Sequence, residues 1–263
     1  MRVLVISNQK GGVGKTTTAI SLGAALAGRG ERVLLVDLDP QANATSGLGV
    51  SKEPPNAIYG VLLKEQPIEN LAVRTSVPGL DLVPSGPDMA GAEVELTPLM
   101  AREYRLRKAN RSIEGYDIVL VDCPPSLGLL TVNALAAGDD VLIPVQCEYF
   151  ALEGLAQLLA TIEAVRARLN EGLEVLAIVL TMEDRRNRLS LQVVEEVERH
   201  FPQLVARARI PRTVRLAEAP SHGVPISRYD PRSAAARAYD DLAREISARL
   251  KSRAPLALGG AIA

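Results

Sequence analysis

Short apolar runs rich in Val, Ile and Leu alternate with segments of helical spacing along almost the whole chain. The runs predict strands over Val3–Ser7, Arg32–Asp37, Leu80–Pro84, Asp117–Asp122, Asp140–Pro144, Val175–Thr181 and Leu204–Ile210. Between them the spacing predicts helices over Lys15–Gly28, Pro87–Arg111, Leu127–Ala136, Ala151–Leu169 and Leu189–Phe201, with a last helix over Ser233–Lys251. Continuously apolar strands are buried on both faces, and intervening helices make parallel crossovers. The pattern therefore predicts an α/β fold: a single doubly wound, mostly parallel sheet flanked by helices. No internal repeat and no polar linker divides the chain, so one domain is expected over residues 1–253. The least regular stretch, Ser51–Gly79, holds Pro54, Pro55, Pro67 and Pro78 and reads as a surface excursion with one short helix. Residues 254–263 carry no charge and read as a flexible C-terminal tail.

Composition narrows the classes. Of 263 residues, 47% are hydrophobic and 23% charged, which excludes collagen, coiled coil and wholesale disorder. No stretch approaches the roughly 18 apolar residues of a membrane span, and the first apolar run is too short for a signal peptide. A cytoplasmic protein is expected, with no membrane partner. Two cysteines, Cys123 and Cys147, cannot make a disulfide framework or a four-ligand metal site. Few aromatics and no Trp argue against stacking platforms for single-stranded nucleic acid.

The net charge of −1 conceals an uneven distribution. Residues 1–182 hold 15 Lys and Arg against 21 Asp and Glu, whereas residues 183–263 hold 15 against 10. A basic C-terminal third suits one face that meets a polyanion, or a solvated Arg-rich surface.

Chemistry concentrates in three segments. Lys10-Gly11-Gly12-Val13-Gly14-Lys15-Thr16-Thr17 follows an apolar strand and opens a helix, the context that makes a phosphate loop credible. Its glycines let successive N–H groups turn towards a phosphate chain, and the helix adds its positive end. Lys15 would bridge the β and γ phosphates, and Thr16 would offer its hydroxyl to Mg²⁺. The strand ending Asp37-Leu38-Asp39-Pro40-Gln41 sends two carboxylates the same way at the carboxyl edge of the sheet. Either could instead cap the segment that follows. Ile118-Val119-Leu120-Val121-Asp122 is a Walker B strand, its Asp122 expected at Mg²⁺, and Pro124-Pro125 stiffens the next loop.

The loop departs from the usual G-x-x-x-x-G-K-[ST], with an extra lysine, Lys10, five residues before Lys15. In this form it resembles the deviant Walker A loop of the ParA/MinD family of ATPases, and the likeness runs from about residue 2 to residue 250. Gln41 to Gly49 and the block Arg212 to Ser221 resemble the partitioning, Soj-type branch. The resemblance implies an ATP- and Mg²⁺-dependent ATPase of slow basal rate whose Lys10 reaches the nucleotide of a second subunit, giving an ATP-bridged homodimer. It implies that Asp39 positions or activates the attacking water, with a place near the metal, and that Asp37 supports the Mg²⁺ shell. It puts Met182 and Pro211 beside the adenine. It also implies non-specific binding of double-stranded DNA, a nucleoid location, a centromere-binding ParB-like partner, and segregation of chromosome or plasmid DNA.

The DNA contacts are expected from Arg185, Arg186, Arg188, Arg212 and Arg215, part of a run with eight arginines and three glutamates. A MinD-like membrane-cycling ATPase is the alternative, but the tail after the last helix has no basic amphipathic face. A cluster-carrying relative would need cysteines at ligand spacing, which are missing. A sequence-specific regulator would need room for a DNA-reading domain ahead of residue 10.

Overall fold

Arg2–Ile6 (β1) is apolar on both sides because both sides are covered: Val3 and Val5 enter one core, Leu4 and Ile6 the other. The same division recurs in Val33–Asp37 (β2), where Leu34 and Val36 face one core and Leu35 the other. The computed structural model describes residues 1–54, 57–148 and 151–252. The remaining strands are Val73–Arg74 (β3), Leu80–Val83 (β4), Ile118–Asp122 (β5), Asp140–Gln146 (β6), Glu174–Glu183 (β7) and Val205–Pro211 (β8). They form one sheet in the order β3-β4-β2-β5-β1-β6-β7-β8, parallel throughout except that β3 runs antiparallel to β4. This is the doubly wound sheet expected, with β1 and β5 central.

The helices are Lys15–Gly28 (α1), Asn43–Gly47 (α2), Ile58–Lys64 (α3), Ala92–Leu96 (α4), Arg105–Asn110 (α5), Leu129–Ala137 (α6), Ala151–Arg168 (α7), Arg188–His200 (α8), Arg215–Ser221 (α9), Ile226–Tyr229 (α10) and Ala234–Ser252 (α11). α1 and α11 pack together on one face, with Tyr239, Leu242 and Ile246 of α11 buried beside Leu22 and Leu26 of α1. α3 to α8 cover the other face. Parallel strands bring their carboxyl ends to one edge, and the segments with candidate chemistry all lie along it, at the ends of β1, β2, β5, β7 and β8.

Two expectations need correcting. Pro87–Arg111 is not one helix but four short pieces: 3₁₀ turns at Pro87–Ala90 and Arg102–Tyr104, with α4 and α5. Met89, Ala92, Leu96 and Leu106 keep a helical rhythm of burial, but Pro98 and the left-handed Ala101 (φ 51°) interrupt the backbone. The excursion over Ser51–Gly79 holds more than one helix: α3, a 3₁₀ turn over Ile68–Leu71, and the edge strand β3. The other boundaries agree within about two residues. The tail read over 254–263 lies outside the described residues.

Candidate nucleotide-binding site

The loop between β1 and α1 is built for close backbone approach. Gly12 and Gly14 have φ of 76° and 86°, which side chains disfavour, and Gly14 leads directly into α1 without a capping side chain. The first amides of α1 are therefore free to meet an anion. Asn8, which the sequence reading passed over, fastens the loop: its Nδ2 donates to the Pro144 carbonyl at 2.8 Å, and its Oδ1 accepts from the Lys10 amide at 3.0 Å. From the other side the Thr181 hydroxyl donates to the Val13 carbonyl at 2.8 Å. The loop is thus held between β6 and β7.

The two lysines differ in surroundings. Lys15 is buried, and its ammonium donates to the Lys10 carbonyl at 3.1 Å. Burial lowers its pKa, opposed by the charges of Asp122 and Asp39; an anion in the loop would favour the charged form further. Lys10 lies half-exposed, and its ammonium pairs with Glu148 at 3.0 Å.

The carboxylates also divide. Asp37 is saturated: it accepts from the Thr45 amide at 2.8 Å, the Thr45 hydroxyl at 2.7 Å and the Asp39 amide at 3.2 Å. Thr45 lies in α2, and its hydroxyl in turn accepts from the Ser85 amide at 2.9 Å. Asp37 therefore fastens the segment after β2, the capping role that the sequence left open. Asp39 is buried, and its Oδ1 accepts from the Gln41 amide at 2.9 Å. Asp122 is fully buried, and among the described residues neither of its oxygens has a well-formed hydrogen bond. Burial and the nearby Asp37 charge push its carboxyl well above the usual carboxylate range, with the Thr16 side chain against it in opposition. Two orphaned carboxylate oxygens beside a threonine are donors that a hard divalent cation takes. Among the described residues no group of three or more Asp, Glu, His or Cys side chains gathers around such a point. A cation there would complete its shell with phosphate and water rather than with a carboxylate cage.

Met182 and Pro211 come together with Gly14 and Thr17 in one cleft of about 300 Å³, closed by Val214, Leu216 and Tyr239. Met182, the last residue but one of β7, is left-handed (φ 54°), and Tyr239 shares a 3.2 Å hydrogen bond with Thr18. A largely apolar slot beside a phosphate loop suits a flat base.

The arginines collect where β7 and β8 leave the sheet, because the Arg212 amide donates to the Glu183 carbonyl at 3.0 Å. Arg185 and Arg186 are exposed, 82% and 93% at the side chain, beside Glu183 and Asp184. Arg188 opens α8 and makes no ion pair among the described residues; the same holds for Arg212. Arg215 is engaged, pairing with Glu218 at 3.1 Å and Asp230 at 3.8 Å and lying over the Tyr229 ring. Arg199 and Arg209 pair with Glu196 and Glu198.

A family model described as an AAA domain matches residues 1–175. The sporulation initiation inhibitor protein Soj of Bacillus subtilis is 53% identical over 249 residues, 94% of this chain and 98% of that protein. The chromosome partitioning protein ParA of Caulobacter vibrioides is 54% identical over 257 residues, 96% of each. The chain belongs to the Soj/ParA family of chromosome-partitioning ATPases. Among solved structures, cobyrinic acid a,c-diamide synthase of Mycobacterium smegmatis with bound ADP and magnesium superposes with a TM-score of 0.85 at 40% identity, covering 97% of both chains. That synthase binds its nucleotide and metal on the fold seen here. In this Soj/ParA chain no helix among the described residues is long and apolar enough to cross a membrane.

Proposed function

We propose that this ATPase binds ATP and Mg²⁺ in the loop Lys10–Thr17, dimerises through the bound nucleotide, and as a dimer binds double-stranded DNA without sequence preference. The observation that carries the reading is the pairing of Lys15, buried under the loop, with Lys10, half-exposed at its edge. One lysine suits the nucleotide held by its own chain, the other a nucleotide presented by a second chain.

Each group has a defined task. The loop amides and the start of α1 take the phosphates, and the Lys15 ammonium exchanges the Lys10 carbonyl for phosphate oxygen. Thr16 and Asp122 would hold Mg²⁺, whose charge would offset that developing on the transferred phosphoryl group. Asp39, buried two residues beyond Asp37, orients the attacking water. Met182 and Pro211 would enclose the adenine. Lys10 is the cation that a second subunit supplies, and among the loop residues there is no arginine for that task. With water placement and charge neutralisation incomplete in a single chain, unstimulated turnover is slow, far below tens per second. A centromere-binding ParB-like partner accelerates it.

DNA contacts come from Arg185, Arg186, Arg188, Arg212 and Arg215, doubled by dimerisation, so that ATP controls DNA binding without touching DNA. The family relationship supports a chromosome cargo and a cytoplasmic, nucleoid-associated protein. The burial of the apolar face of α11 against α1 and β8 supports a reading without a lipid-binding last helix. Size-exclusion chromatography of the wild-type chain with Mg²⁺ and a non-hydrolysable ATP analogue, against ADP, tests the reading: dimer with the first and monomer with the second support it, and monomer with both refutes it.

A further inference from the structure

The lysine that must cross to a second subunit is already engaged within its own chain. Lys10 Nζ and Glu148 Oε2 are 3.0 Å apart across 138 residues of sequence. Glu148 stands two residues beyond the end of β6, and its other oxygen accepts from Gln146 Nε2 at 2.6 Å. That second bond fixes the carboxylate in place, so it is a prepared acceptor. The Lys10 amide is itself held by Asn8, leaving the lysine side chain to swing from a fixed root.

We propose that Glu148 is a positioning residue for Lys10: it holds the ammonium in cis in the single chain and releases it when a second, ATP-loaded copy arrives, which raises the ATP concentration needed for dimerisation. The inference rests on the ATP-bridged dimer proposed above.

The direction follows from charge. Lys10 cannot keep its contact with Glu148 and also reach phosphates on another chain, so each protomer must break the pair. Glu148 is not stranded afterwards, since its side chain is half-exposed to water and keeps the Gln146 bond. For a pair this exposed, the hold is worth about two- to fivefold per protomer. With two latches per dimer the effect on the dimerisation constant multiplies to about four- to twenty-five-fold. That is small enough for ATP binding to overcome and large enough to set the monomer–dimer threshold. Screening weakens an exposed pair, so the latch also loosens with salt.

Glu148→Gln keeps the size and the Gln146 neighbour and removes the charge. Sedimentation velocity with Mg²⁺ and a non-hydrolysable ATP analogue should place its dimerisation at lower protein concentration than wild type by that factor. ADP affinity, measured by titration calorimetry, should stay as in wild type, which certifies the fold and pocket. In a Lys10→Ala background the same Glu148→Gln change should move the residual association by less than twofold, since the latch then has nothing to hold. An unshifted or weaker association for Glu148→Gln overturns the latch, as does an equal gain in the Lys10→Ala background. A wild-type chain that stays monomeric with the analogue overturns the dimer reading instead, and the latch with it.

Discussion

Asp37 and Asp122 are register partners across the β2–β5 pairing, and only one of them has its hydrogen bonds. Asp37 accepts three, from Thr45 and Asp39, while among the described residues both oxygens of Asp122 go without. Two carboxylates on adjacent strands thus serve different ends. One fastens α2 to the sheet, and the other is the carboxylate proposed to hold Mg²⁺.

Substitution should separate the two. Asp37→Ala strands the Thr45 hydroxyl and two amides in the interior, at a cost of about 2–4 kcal/mol. A loss of that size should lower the melting temperature by about 5–15 °C. Asp122→Asn removes a buried, unpaired carboxylate, so the nucleotide-free protein should melt at the same temperature or higher, while Mg²⁺-dependent hydrolysis falls below detection. Thermal melts and phosphate release on both variants check this; a destabilised Asp122→Asn chain would contradict it.

The same pair sets a pH dependence. Burial raises the Asp37 carboxyl to about 6, and burial with the neighbouring Asp37 charge raises Asp122 well above the usual range. A raised carboxyl means that the folded chain keeps protons that the unfolded chain has released. The stability these two groups contribute is therefore greatest below about pH 4 and declines as pH rises through 6 and beyond. Melting of nucleotide-free protein between pH 5 and 8 should show this decline, shallower in Asp122→Asn and in the presence of Mg²⁺ with ATP. A decline equally steep in Asp122→Asn would exclude Asp122 as its source.

Much of this was legible in the sequence where burial is two-sided. β1, β2 and β5 are apolar at nearly every position because helices cover both faces, and their positions follow directly. The phosphate loop was legible because its glycines, lysines and threonines are contiguous. Met182 and Pro211 line one cleft although they lie 29 positions apart in the chain. The rest depends on distant partners. β3 has two exposed residues and no apolar signal of its own, existing only because β4 offers an edge. Lys10 and Glu148, or Asn8 and Pro144, meet through the β1–β6 pairing, which no local pattern announces.

Removing the cleft side chain should weaken the base contact. Met182→Ala is expected to lower ATP and ADP affinity together, each by about fivefold, since about 1 kcal/mol of apolar contact is lost and the base is common to both. Fluorescent-nucleotide titration reads this directly. An effect on ATP alone would place Met182 at the phosphates instead.

The ion pairs rank the arginines. Arg188, without a carboxylate partner among the described residues, should matter more for DNA than Arg215, which must first leave Glu218, Asp230 and Tyr229. Arg188→Ala should weaken DNA binding uniformly across sequences and reduce the salt slope of the dimer by about 2, one phosphate contact per protomer. ATP-driven dimerisation should persist. Unchanged affinity and slope in Arg188→Ala would remove this face from the DNA site.

The most direct test of the ATP-bridged dimer is the mass in solution of Asp39→Ala, with and without Lys10→Ala, under Mg²⁺ and ATP. If Asp39 orients the water as proposed, its loss stalls hydrolysis while binding survives, and Asp39→Ala should accumulate at twice the 28.1 kDa chain mass. Lys10→Ala/Asp39→Ala should remain monomeric at the same concentrations. A monomeric Asp39→Ala chain, or a dimer that forms equally well without Lys10, would contradict the account.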